Sequence, residues 1–212
     1  MSTVDRVERT VIDDLLSGEL RPGTRIRQDA LAAQLGVSKI PVREALQRLS
    51  ALGLLQFETN RGAAVPSMSV AEAVENFVLR QSIEIEMLRQ AVPNMSIVDL
   101  AAAELALEHS DLGVTAANWA FHRALYRASG WNRGLAMVEI LHAAVAPYVL
   151  LYIESLGGAE PSEAEHVAIL DACRHHDVDS AITLLHTHLA DSSAAVIGFL
   201  SANETTGGVG DE

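Results

Sequence analysis

Apolar residues recur at helical spacing from the start of the chain. They predict an N-terminal helix whose buried face carries Val4, Val7, Val11, Ile12, Leu15 and Leu16, and which ends near Gly18. A turn at Pro22 and Gly23 follows, then a short helix over residues 28–35. Ser38 is placed to cap the next helix, which has Pro41 in its first turn.

This third helix turns one apolar face inward, formed by Val42, Ala45, Leu46 and Leu49. Two short strands, 54–57 and 63–65, are predicted around a basic tip at Arg61 and Gly62. Two helices joined by a glycine turn and followed by a hairpin form a winged helix-turn-helix, whose second helix enters the major groove by its N-terminal end. Lys39 and Arg43 lie at that end. Periodicity alone is equally compatible with a small helical domain that binds no DNA.

The remainder of the chain has the pattern of one helix after another. Helices are predicted over residues 69–91, 96–109, 114–129, 131–155, 161–175 and 178–200. Ser69 and Glu72 have the spacing of a capping box. The predicted fold is therefore mainly α: a winged helix-turn-helix, then an all-helical bundle of about six helices with a ligand site in its core.

Charge divides the chain at Pro66. The 212 residues carry a formal net charge of −13, of which residues 1–66 contribute +1 and the rest −14. We expect a winged helix-turn-helix domain over 1–66, a helical domain over 67–201 that holds the ligand site and the dimer interface, and a disordered tail over 202–212. A nearly neutral DNA-binding domain attracts phosphate weakly, so we expect a homodimer that reads a palindromic operator.

Cysteine content and the N-terminus predict a cytoplasmic protein with no membrane span. Cys173 is the single cysteine, and the first residues lack the apolar run of a secretory signal. The longest apolar stretch, 143–153, contains Pro147 and is shorter than the about 20 residues that a membrane span needs. It is interpreted as a buried helix.

Histidines suggest a metal site in the bundle. Asn118 and His122 are one helical turn apart, and His166 and His188 lie among apolar residues of two later helices. By spacing alone, a bundle with eight histidines buries some by chance. Three histidines around an ion with an open position would also suit a metal-dependent hydrolase.

Four short motifs in the first domain resemble a known family. They are the Pro-Gly-Thr turn at 22–24, the Leu-Gly-Val-Ser turn at 35–38, the Pro-Val-Arg-Glu-Ala-Leu segment at 41–46 and the Arg-Gly pair at 61–62. In this order and spacing they resemble the winged helix-turn-helix of GntR-family transcription regulators. The resemblance implies that DNA is contacted by Ser38, Lys39, Arg43, Arg61 and Gly62.

The domain departs from that family at several positions. Lys39-Ile40-Pro41 stands where Arg-Thr-Pro is usual, which replaces a forked donor with an ammonium. Asp29 occupies a position where some members have arginine. Arg48 is equally compatible with a phosphate contact and with a solvated side chain.

Three stretches of the second domain resemble the FCD effector domain of the FadR subfamily, in its shorter, VanR-like group. They are residues 118–130, residues 165–172 and the segment at 188–189. The resemblance implies a divalent metal, zinc or nickel, held by Asn118, His122, His166 and His188, and a small organic acid as effector. The other histidines are assigned to the surface or to helix ends: His109, His142, His175, His176 and His186.

Arg80 falls where that family places an arginine near the effector carboxylate, and the alternative is an ordinary ion pair with Glu84. The function implied is that of a DNA-binding transcriptional regulator, with repression relieved by effector, rather than an enzyme. A regulator in which the metal ion itself is the signal is the alternative.

Overall fold

The computed structural model describes residues 1–58, 62–108, 113–156 and 160–207. In these residues the DNA-binding domain contains three helices and a small sheet. The elements are α1 (Thr3–Leu16), β1 (Arg25–Ile26), α2 (Gln28–Leu35), α3 (Lys39–Ala51), β2 (Gln56–Glu58) and β3 (Gly62–Ala64). The buried face of α3 is formed by the four residues that its spacing predicts.

Two details of this domain differ from the sequence-based expectation. β1 was not predicted, and it pairs antiparallel with β3 to give the strand order β1-β3-β2. Two residues are too few to show an alternating pattern. Ser38 occupies the N-cap position of α3, but its side chain makes no capping hydrogen bond.

Six further helices form the bundle, as expected. They are α4 (Val70–Ala91), α5 (Ile97–Glu108), α6 (Val114–Arg127), α7 (Asn132–Leu156), α8 (Glu160–Arg174) and α9 (Val178–Gly207), with a 3-10 turn at Val92–Asn94. Ser69 and Glu72 form the predicted capping box of α4. The expected disordered tail from residue 202 is wrong at its start, because α9 continues to Gly207; residues 208–212 lie outside the described residues.

α7 connects the two domains. It packs against α1 of the DNA-binding domain and against α4, α6 and α9 of the bundle. Its window Asn132–Leu151 has a mean hydropathy of 1.7 and is long and apolar enough to cross a membrane by composition alone. The same window carries Glu139 and His142, whose side chains contact other helices of the bundle.

Candidate metal centre and DNA-binding face

Three histidines from three different helices meet inside the bundle. His122 lies on α6, His166 on α8 and His188 on α9, and one ring nitrogen of each lies within 4.8 Å of the others. All three are buried, with at most 5% of any residue exposed. The bundle therefore brings together the three histidines that the sequence singled out.

The hydrogen bonds of His122 determine where its proton lies. The Tyr126 hydroxyl donates its only hydrogen to Glu84 Oε2 at 2.6 Å. At 3.1 Å from His122 Nδ1 the same oxygen must therefore accept, so Nδ1 carries the proton. This leaves a lone pair on Nε2, a buried atom with no hydrogen-bond partner among the described residues. Burial, and then the neighbouring His188 and His166, hold the pKa of His122 well below its usual value and keep the ring neutral.

His188 is oriented in the same manner. Glu165 Oε2 accepts from His188 Nδ1 at 2.7 Å, which leaves the His188 Nε2 lone pair 3.3 Å from His166 Nε2. Burial, and then His188, lower the pKa of His166 to about 3. A carboxylate behind a ligating imidazole is the usual support of a metal-binding histidine.

These residues fit a divalent ion. Neutral imidazoles whose ring nitrogens lie this close together suit zinc, nickel or copper, and a buried nitrogen without a partner is rare unless a ligand satisfies it. Asn118 is half-buried on α6, one turn before His122 and therefore on the same helix face. An amide oxygen at that position suits a weaker fourth ligand.

The expectation that His142 lies at the surface is wrong. It is only 3% exposed, and its Nε2 lies 2.9 Å from Arg80 Nη2 and 3.3 Å from Glu84 Oε1. Burial, and then Arg80, lower its pKa to about 4. The signal was present in the sequence, because Val138, His142 and Val145 lie on one helical stripe and all are buried. By contrast, His175, His176 and His186 are exposed as expected, and His109 lies outside the described residues.

Arg80 makes the ion pair with Glu84, but inside the protein rather than on its surface. Its Nε donates to Glu84 Oε1 at 2.7 Å, and the two side chains are 4% and 0% exposed. Burial alone would raise the pKa of Glu84, whereas Arg80 and His142 outweigh it and lower it to about 2. The guanidinium is thus neutralised by a carboxylate that belongs to the chain. The ion pair between Arg80 and Glu84 is the alternative that the sequence left open. The contacts of Glu84 with Tyr126 and His142 join residues far apart in the chain, and no local pattern indicates them.

The described residues that the resemblance implies contact DNA lie around the start of α3 and in the hairpin. Ser38, Lys39 and Arg43 are exposed there, while Gly62 begins β3 with φ of 86°, a conformation that favours glycine. Arg61 lies outside the described residues. Lys39 Nζ pairs with Asp29 Oδ1 at 2.7 Å, with both side chains about two-thirds exposed.

Arg48 follows on the same helix. It pairs with Glu44 at 2.6 Å and with Glu8 at 3.3 Å, so it is neither merely solvated nor unpaired.

A winged helix-turn-helix joined to a helical bundle is the architecture of a class of DNA-binding regulators. Comparison with known proteins places the chain within that class. Residues 3–65 match the family model of bacterial regulatory proteins, gntR family, and residues 75–191 match the FCD domain. The chain therefore belongs to the GntR family and is a DNA-binding transcriptional regulator with an FCD domain.

Individual relatives agree with this. A probable D-xylose utilization operon transcriptional repressor from Paenarthrobacter nicotinovorans is 29% identical, with 85% of this chain and 94% of the relative covered. The HTH-type transcriptional regulator McbR of Escherichia coli is 30% identical over 74% of this chain and 75% of its own.

The solved structures agree as well. Escherichia coli McbR/YncC superposes with a TM-score of 0.84 at 27% identity, covering 92% of this chain and 97% of its own. A putative GntR regulator from Rhodococcus sp. RHA1 gives 0.79 at 27% identity, covering 93% and 99%. The families and relatives are regulators, not enzymes, which agrees with the sequence-based expectation.

Proposed function

We propose that this regulator is a cytoplasmic repressor whose operator binding is controlled by a divalent metal ion and a small organic acid in the bundle. His122, His166 and His188 would hold the ion, with Asn118 as a fourth ligand. The observation that carries the proposal is the unpartnered His122 Nε2, whose lone pair lies beside the other two rings. The bound ion supplies an open coordination position to which the carboxylate of an acid can bind.

The DNA-binding part of the proposal rests on charge. Ser38, Lys39 and Arg43 are exposed around the start of α3, and Gly62 begins β3. A domain of charge +1 joined to one of −14 needs two copies for firm binding, so the regulator acts as a homodimer on a palindromic operator.

A second candidate is a regulator in which the metal ion alone is the signal. The buried Arg80–Glu84 pair favours it, because Glu84 already fills the place that an effector carboxylate would take at Arg80. In the effector-dependent case the acid must either bind at the metal only or displace Glu84 from Arg80.

DNA binding tests both candidates. A duplex from the region upstream of its own gene is titrated by fluorescence anisotropy at fixed salt, with EDTA, with added Zn²⁺ or Ni²⁺, and with a panel of small carboxylic acids. Weakening of binding by one acid in the metal-loaded protein alone supports the effector-dependent repressor. A change with metal and with no acid supports the metal sensor.

Two variants make the test specific. His122→Gln should abolish the response to metal, whereas His186→Gln, an exposed histidine two residues before His188, should respond as the wild type does. Equal behaviour of the two variants, or wild-type binding that ignores metal and every acid, would contradict the proposal.

A further inference from the structure

The carboxylate of Glu139 on α7 contacts both the DNA-binding domain, through α1, and the helix α6, which carries His122. Arg9 of α1 donates from Nη1 to Oε1 and from Nη2 to Oε2, each at 2.8 Å, which is the paired geometry of a strong arginine–carboxylate contact. Trp119 of α6 donates its indole N–H to the same Oε1 at 3.3 Å. The Glu139 side chain is only 12% exposed.

Trp119 lies next to the histidine cluster. It lies three residues before His122 on α6, and its ring packs on His142 with the centroids 4.8 Å apart. His142 in turn packs against His122 at 5.4 Å. A change in the position of α6 on binding an ion would therefore alter the contact between Trp119 and Glu139.

Arg9 lies on α1, which packs against α3, the recognition helix of the helix-turn-helix. Its neighbour Glu8 pairs with Arg48 of α3 at 3.3 Å, and α1 packs along α3 through its apolar face. Consecutive residues of α1 thus bind different partners: Glu8 holds the recognition helix and Arg9 holds the bundle.

The neighbouring cations keep Glu139 ionised and so strengthen its contact with Arg9. Burial alone would raise the pKa of Glu139, but the hydrogen bonds from Arg9 and the charges of Arg9 and Arg123 outweigh burial and lower it. Arg123 follows His122 on α6, so the Glu139 carboxylate is stabilised by one cation from α1 and by another from α6.

We infer that Glu139 is the coupling residue of this regulator: it transmits the state of the histidine cluster, through Trp119, to Arg9 and the recognition helix. This inference rests on the proposed function, because it requires the cluster to bind an ion. Coupling between two sites is a free energy that both ligands share, typically a 5- to 150-fold change in affinity, so it is measurable in either direction.

The first measurement is the ratio of operator affinities with Zn²⁺ and with EDTA. Glu139→Gln and Arg9→Gln should each reduce the wild-type ratio to less than about twofold. Zn²⁺ affinity without DNA, measured by competition with a chromophoric chelator, should stay within about threefold, because neither residue touches the cluster. Glu104→Gln is the matched control: it removes a carboxylate that pairs with Arg174 at 2.6 Å within the bundle, and it should keep the wild-type ratio.

The second measurement needs no metal. In a Trp131→Phe background Trp119 is the remaining tryptophan, and its emission reports on the Glu139 contact. Arg9→Gln should shift that emission in the EDTA-treated protein, because Glu139 loses its paired cation.

The outcomes separate the two ideas. Wild-type operator affinity that ignores Zn²⁺ would refute the proposed function. The role of Glu139 would be refuted if Glu139→Gln kept the wild-type ratio, or if it lost Zn²⁺ affinity by as large a factor as it lost the ratio. Unchanged Trp119 emission in Arg9→Gln would refute it as well.

Discussion

The DNA-binding domain and the bundle each contain an ion pair of the same length, but the first pair is exposed and the second is buried. In the DNA-binding domain, Lys39 pairs with Asp29 where both side chains are about two-thirds exposed. In the bundle, Arg80 pairs with Glu84 where both are almost fully buried. The two contacts have the same length, 2.7 Å, so geometry does not distinguish them.

What distinguishes the pairs is the solvent. An exposed pair contributes about 0–1 kcal/mol, and its cation can exchange a carboxylate for a phosphate at little cost. A buried pair whose partner is removed leaves an uncompensated charge, which costs about 3–5 kcal/mol. The exposed pair is therefore suited to binding, and the buried pair to holding the histidine cluster in place.

The largest effect is expected from breaking the buried pair. Arg80→Met leaves the buried Glu84 without its cation, so the folded protein bears either an uncompensated charge or the cost of protonating the carboxyl. The free energy of unfolding, measured by urea titration, should fall by about 3–5 kcal/mol. The matched control is Arg89→Met on the same helix, where Arg89 pairs with Glu86 at 3.3 Å in solvent. That variant should lose less than about 1 kcal/mol. Similar losses in the two variants would contradict the distinction between the pairs.

The buried histidines predict an intermediate effect of pH on the metal-free protein. The pKa values of His142 and His166 fall to about 4 and about 3 in the folded protein, from 6.5. The unfolded chain therefore takes up protons first, so stability is full above about pH 6.5 and falls as the pH drops toward 4. Between pH 7 and 5.5 each group should lose about 1 kcal/mol, about 2 kcal/mol together.

Urea titrations at several pH values check this. His166→Gln should flatten the dependence between pH 7 and 5.5, whereas His186→Gln, which is exposed, should leave the slope unchanged. A steeper dependence in His166→Gln would show that other groups dominate.

The sequence predicts the features that depend on neighbouring residues and misses those that depend on contacts between distant residues. The six bundle helices are recognisable because apolar spacing and glycine or proline breaks are local signals. The burial of His122, His166 and His188 follows from their apolar neighbours. The contact between Arg9 and Glu139 joins residues 130 apart, and no local pattern indicates it. His142 is polar, a residue type usually found at the surface, but it lies on a stripe with the apolar Val138 and Val145, and that stripe is buried.

The smallest effect is expected at the exposed pair of the DNA-binding domain. Asp29→Asn removes the partner of Lys39, so the ammonium no longer has to leave a carboxylate before it meets a phosphate. Affinity for a random duplex should rise by less than about tenfold, and the plot of log affinity against log salt should steepen by up to about 0.9. Glu19→Gln changes net charge equally at an exposed position of the same domain, outside the start of α3. An identical salt dependence in both variants would mean that total charge, rather than the pairing of Lys39, sets the attraction for DNA.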